Sequence, residues 1–244
     1  MESRQMLFET AENLVEILKD KNVDFYFKSS YKKANRTSYE SFTGIGDIQA
    51  LEYIREVGDT FGVKTLTDVH SPEEAKLAAN YVDVLQIPAF LCRQTDLIKA
   101  AAETGKIVNI KKGQFVGASV MLNASDKASK FGSANTWITE RGTFFGYNDL
   151  VVDFRSIVQL KKAGQTVIFD ATHSVQQPSI GKQSGGKREY IFPLAKAAIV
   201  SGVDGIFFET HPNPDEALSD AASQLPLTQA SEFVNEILGL YEKI

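Results

Sequence analysis

The chain has 244 residues, 43% of them hydrophobic, with a formal net charge of −5; that allows one packed α/β domain and argues against nucleic acid or an anionic membrane as main partner. Its one cysteine, Cys92, excludes an internal disulfide, and every apolar run is broken well before the roughly 18 residues that a membrane span needs. No secretory pattern opens the sequence, so a cytoplasmic protein with a single domain, residues 1–244, is expected.

Residues 3–20 read as a helix, because Met6, Leu7, Ala11, Leu14, Val15 and Leu18 recur at steps of three and four. A strand at 23–28 follows, then the basic loop KSSYKKANRTSYESFTGIG. Helix 47–61 takes Asp47 as its N-cap and stops near Gly62. Strand 64–68 leads to Ser71, Pro72 and two glutamates, a common helix opening. Further helices are expected at 94–104, 119–130, 154–162, 187–201 and 227–243. Cys92 reads as a small buried residue, and Ser184-Gly185-Gly186 as a flexible loop.

Seven short apolar runs close on polar residues of catalytic type: Lys28, Asp68, Gln86, Lys111, Arg141, Asp170 and Glu209. Strand, polar terminus and helix in repetition point to a (β/α)8 TIM barrel whose site lies at the strand C-termini. The count gives eight helices but seven strands, and the chain opens on a helix. A seven-stranded parallel barrel would leave an open edge, so the first strand is expected upstream of Met1.

Three constellations carry chemistry. Lys28, Lys33 and Arg36, with Asn35, Thr37 and Ser38 interleaved, suit a phosphate or carboxylate, against the alternative of a solvated charge run. Lys111 and Arg141 end consecutive strands and suit a composite anion site, against structural ion pairing. His173, Glu209 and Asp220, from DATHS, FETHP and SD, offer N and O ligands to a divalent cation. His211 and Asp170 are equally available for that role. Cations at one rim of an acidic protein imply a small, phosphorylated substrate.

The segments KSSYKKANRTS, TDVH, LQIPAFLCRQTDL, NIKKGQF, TERGTFFGYNDLVVDFRS, IFDATHSVQ, SGGKREYIFPLAKAA and FETHPNPDEALSDAASQLPL resemble the 3-deoxy-D-manno-octulosonate 8-phosphate synthases, also called 2-dehydro-3-deoxyphosphooctonate aldolases. The resemblance runs from Glu2 to about Leu227. It implies a (β/α)8 barrel, a homotetramer, and condensation of phosphoenolpyruvate with arabinose 5-phosphate and water. The sister synthase using erythrose 4-phosphate has K-P-R-T at the sugar loop, where this chain has KANRT. By resemblance Lys28, Lys33, Lys111 and Arg141 hold phosphoenolpyruvate, and Gln86 lines that site. Asn35, Arg36 and Thr37 receive the pentose phosphate, and Arg93 approaches from a neighbouring subunit. Asp68 and His173 are the candidates for proton transfer. The family divides into metal-dependent and metal-free classes. His173, Glu209 and Asp220 match three ligands of the metal class, and the LSDAASQLPL context resembles it. The fourth ligand of that class, a cysteine, would lie upstream of Met1; Cys92 does not match it.

Overall fold

The computed structural model describes residues 1–34, 43–146, 149–177 and 185–244. Eight α-helices run α1 (Arg4–Leu18), α2 (Asp47–Phe61), α3 (Pro72–Ala78), α4 (Thr95–Ala102), α5 (Ala118–Lys130), α6 (Phe154–Lys162), α7 (Ile191–Val200) and α8 (Ala230–Tyr241). Seven strands alternate with them: β1 (Tyr26–Lys28), β2 (Lys64–Asp68), β3 (Val84–Ile87), β4 (Ile107–Lys111), β5 (Thr136–Glu140), β6 (Thr166–Asp170) and β7 (Gly205–Phe207). They form one sheet in chain order, parallel at each described register. The protein is therefore of the α/β class that the alternating pattern announced. No helix among the described residues is long and apolar enough to cross a membrane.

Local chemistry accounts for the element ends. The Ser3 hydroxyl caps α1 by accepting from the Met6 amide at 3.1 Å, and Ser71 caps α3 by accepting from Glu74 at 3.2 Å. At α2 the expected cap is corrected: Gly46 occupies the cap position with φ of 109°, and Asp47 is the first helical residue. Two helices start later than their periodicity suggested, because single turns of 3₁₀ helix precede them at Arg188–Tyr190 and Leu227–Gln229. β1 is shorter than 23–28, and the run at 204–209 pairs only over Gly205–Phe207, leaving Glu209 two residues beyond the strand. Gln86 lies one residue before the end of β3, and Arg141 directly follows β5.

The chain divides into two compact units. The first comprises Met1–Asn109 with Asp126–Thr136. Its core includes Leu51, Ile54, Leu85, Ile87 and Ile98, all fully buried, with Cys92 buried among the apolar residues as expected. The register places Asp68 of β2 opposite Gln86 of β3.

The second unit comprises Ile110–Ser125 with Trp137–Ile244. Ile110, Ile138, Val167 and Phe169 are buried there without measurable exposure, as expected of strands covered on both faces. Two antiparallel ribbons, unforeseen in the sequence, decorate it: Thr143–Phe145 with Asp149–Val151, and Gln176–Gln177 with Gly185–Gly186. The second corrects the reading of Gly185 and Gly186 as a flexible loop. Gly186 faces Gln176, and a Cβ there would stand 2.9 Å from the Ser223 Cβ and 3.0 Å from the Ala222 carbonyl carbon. Only glycine allows that approach.

Candidate active site

In the first unit, β1, β2, β3 and β4 bring four polar side chains into one hydrogen-bonded line. The Lys28 ammonium lies 3.0 Å from Asp68 Oδ1 and donates to Ser30 Oγ at 2.7 Å. Gln86 Nε2 donates to the same Asp68 oxygen at 3.3 Å, and Asn109 Nδ2 donates to Gln86 Oε1 at 3.1 Å. Burial raises the Asp68 pKa, but Lys28 and Lys33, with His70, outweigh it and hold the carboxyl well below its usual range. Asp68 is therefore a fixed negative charge, its position set from both sides.

The segment leaving β1 is tied to α3. Glu74 accepts from the His70 amide and meets His70 Nδ1, both at 2.8 Å, and pairs with Lys32 at 2.5 Å. Its pKa is lowered to about 2, because Lys32 and the other donors to it outweigh the cost of burial. Lys33 follows directly, its amide bonded to the Thr43 carbonyl at 2.7 Å. Arg93 is exposed, beyond the 3₁₀ turn Ala89–Leu91. Asn35, Arg36 and Thr37 lie outside the described residues.

The second unit holds a denser constellation. Lys111 Nζ lies 2.6 Å from Asp170 Oδ2 and 3.3 Å from His173 Nδ1. Asp170 also accepts from the His173 amide at 2.8 Å, and its Oδ1 is 3.1 Å from His173 Nδ1. Burial raises the pKa of this fully enclosed carboxyl, yet His173 and Lys111 more than reverse it and keep Asp170 ionised. The His173 ring stacks on Phe207, over which Lys111 also lies.

Adjacent residues alternate sides, so each strand ending contributes twice. Lys112 turns away from Lys111 into the interior, where it lies 3.4 Å from Glu140 and donates to the Gly142 carbonyl and to Thr143 Oγ1. Burial pushes the Glu140 carboxyl up despite Lys112, and Glu140 accepts from the Gly142 amide at 2.7 Å. Arg141, 3% exposed, donates from Nη2 to Gln176 Oε1 at 2.9 Å. Its Nε and Nη1 have no hydrogen-bond partner among the described residues. A buried guanidinium with donors to spare is a socket for an anion.

His173, Glu209 and Asp220 each offer a ligand atom, all within 4.8 Å of one another. His173 Nε2 is 3.9 Å from Glu209 Oε1, while the other ring nitrogen is held by Asp170. A carboxylate on the far nitrogen of a ligating histidine is the usual outer support of a metal site. Asp220 stands in the left-handed region at φ of 56°, its carbonyl accepting from the Ser223 and Gln224 amides. Arg188 donates to the next carbonyl, Ala221, at 2.7 Å. At this cluster two cationic side chains, Lys111 and Arg141, stand against three carboxylates, Asp170, Glu209 and Asp220. One negative charge remains, and the nitrogen and oxygen donors fit a divalent cation.

Among the described residues the geometry brings His173, Glu209 and Asp220 within ligand reach of one another, without His211, while Asp170 is committed to Lys111 and His173. Sequence reasoning missed Asn109, Lys112, Glu140 and Gln176. Asn109 had a signal, since it lies two residues before Lys111 on one strand and so shares its face. Gln176 had none beyond its place after His173.

The second unit's cluster sets spare guanidinium donors beside three candidate ligands for a divalent cation; comparisons with known proteins supply the family. Residues 1–243 match the family model described as the DAHP synthetase I family. A 2-dehydro-3-deoxyphosphooctonate aldolase of Protochlamydia amoebophila (strain UWE25) is 47% identical over 100% of this chain and 89% of that protein. Proteins of the same name from Azoarcus sp. (strain BH72) and Nitrobacter hamburgensis are 48% and 50% identical, over 88% and 84% of their own lengths. The chain belongs to the DAHP synthetase I family and, within it, to the 2-dehydro-3-deoxyphosphooctonate aldolases.

Proposed function

We propose residue roles for the reaction that family membership gives this enzyme: phosphoenolpyruvate, D-arabinose 5-phosphate and water yield 3-deoxy-D-manno-octulosonate 8-phosphate and inorganic phosphate, a step of lipopolysaccharide synthesis. The observation that carries the assignment is Arg141, buried beside a strand-ending Lys111 with two nitrogen atoms left to donate.

Lys111 and Arg141 bind the phosphate and carboxylate of phosphoenolpyruvate, and the resemblance adds Lys28 and Lys33. Asp68 fixes the Lys28 ammonium, and Gln86 fixes Asp68. The pentose phosphate is received by Asn35, Arg36 and Thr37. C3 of the enol attacks the aldehyde carbon while water adds to C2; the resulting hemiketal phosphate loses phosphate by C–O cleavage. Two anions that repel in solution are thereby placed against each other, so positioning and charge stabilisation supply much of the catalysis. Asp68, and His173 when no cation occupies its Nε2, are the residues available to move a proton. The lowered Asp68 pKa makes it a weak base whose main contribution is fixed charge.

The same reading places the enzyme in the metal-dependent class. His173, Glu209 and Asp220 would hold a divalent cation, which when bound supplies a Lewis acid to orient the aldehyde or activate water. It also takes the strands as part of a (β/α)8 barrel domain, in a cytoplasmic homotetramer; the exposure of Arg93 suits a residue reaching a neighbouring subunit.

The test is phosphate release from phosphoenolpyruvate with arabinose 5-phosphate, before and after chelator. Release that stops with chelator and returns with divalent metal supports both the reaction and the class. Chelator-insensitive release would remove the metal assignment, and faster turnover of erythrose 4-phosphate would overturn the substrate. Arg36→Ala should chiefly weaken use of the pentose phosphate.

A further inference from the structure

Gln176 bridges two groups of opposite charge, Arg141 and Asp220. Its Oε1 accepts from Arg141 Nη2 at 2.9 Å, and its Nε2 donates to Asp220 Oδ1 at 2.6 Å. A guanidinium only donates and a carboxylate only accepts, so these partners fix the orientation of the amide. The residue is 8% exposed, and its backbone is held by pairing with Gly186 and by its amide bond to the His173 carbonyl. Arg141 also feels the Asp220 charge across this amide.

Arg141 and Asp220 are opposite charges in a shielded cluster, where a direct, bidentate ion pair would be strong. Such a pair would consume the donors Arg141 needs for an anion and the oxygens Asp220 needs for a cation. We infer that Gln176 is a positioning residue: its neutral amide keeps Arg141 and Asp220 apart, reserving the guanidinium for the substrate anion and the carboxylate for the metal. This rests on the roles proposed above for those two residues. A carboxylate at 176 would pair with Arg141 and repel Asp220; an apolar residue would let the two collapse together.

The experiment is calorimetric titration of the chelator-treated, full-length protein with phosphoenolpyruvate alone and with Mn²⁺ alone. Wild type provides the reference; if it binds no phosphoenolpyruvate, the proposed function and this inference fall together. Gln176→Leu should weaken each ligand separately by roughly tenfold to a hundredfold, the scale of a hydrogen bond to a charged group. The decisive variant is Gln176→Leu with Asp220→Asn, which removes the carboxylate that captures Arg141. Phosphoenolpyruvate affinity should return to near that of Asp220→Asn alone, although Mn²⁺ binding stays lost. A merely structural role for Gln176 would not be rescued this way, so equal weakness in the single and double variants would overturn the inference. Unchanged phosphoenolpyruvate binding in Gln176→Leu would overturn it as well. Should Gln176→Leu fail to fold, Gln176→Glu makes the same test at constant shape: its carboxylate must capture Arg141 and weaken phosphoenolpyruvate binding, and wild-type affinity for that anion would end the proposal.

Discussion

The two units use one device with different electrical results. In each, a strand-ending lysine is paired with a buried aspartate, Lys28 with Asp68 and Lys111 with Asp170. Around Asp68 the further ligands are neutral amides, Gln86 and then Asn109, and Lys33 adds a second positive charge nearby. That line is net positive and suits an anion alone. Around Asp170 the ligands are themselves charged or titratable, and the surrounding cluster carries one more carboxylate than cation. It can take a cation and still offer Arg141 to an anion. The difference lies in what surrounds the lysine–aspartate pair, not in the pair.

The largest test of that contrast concerns Lys112, a fully buried charge in the second unit. Lys112→Met leaves Glu140 buried without its cation and should cost about 3–5 kcal/mol in denaturant unfolding. Adding Glu140→Leu should recover most of the loss; no recovery would mean that Lys112 acts through its carbonyl contacts instead.

Lys111→Ala comes next. Loss of one charge-stabilising donor lowers kcat/KM for phosphoenolpyruvate by about 10²–10³-fold. Because it makes the cluster more negative, the variant should retain divalent metal at least as well as wild type. Metal content after gel filtration checks this, and loss of metal would break the comparison.

A smaller effect is expected at Gly186. Gly186→Ala drives a methyl group into Ala222 and Ser223, beside the segment carrying Asp220. Overpacking of this kind costs about 1–3 kcal/mol, and metal retention should weaken with it while the first unit is untouched.

The smallest is a pH effect in the first unit. Asp68 has a folded pKa below its unfolded value of about 3.9, so its contribution is present above that pH and is lost as pH falls toward the folded value. Thermal midpoints measured downward from pH 6 should fall more steeply for wild type than for Asp68→Asn. Parallel curves would show that Lys28 and Lys33 do not stabilise the ionised form.

The order of elements was legible because it is local. Helical periodicity marked the helices, and apolar runs closing at Lys28, Asp68 and Lys111 marked the strand ends, with the metal candidates His173 and Glu209 after later runs and Asp220 in a loop. Motif identity, which is also one-dimensional, carried the family. Tertiary structure alone decided which groups meet. Asp170 and His211 were as good as ligands on paper until Asp170 was seen paired with Lys111 and His173, and Glu209 and Asp220, not His211, were seen to meet His173. Gln176 and Lys112 stayed hidden because an amide or a lysine acquires its role from partners: residues 141 and 220 for one, 140 and 142 for the other. Composition and spacing constrain the backbone, whereas the pairing of buried charges depends on distances between segments remote in sequence.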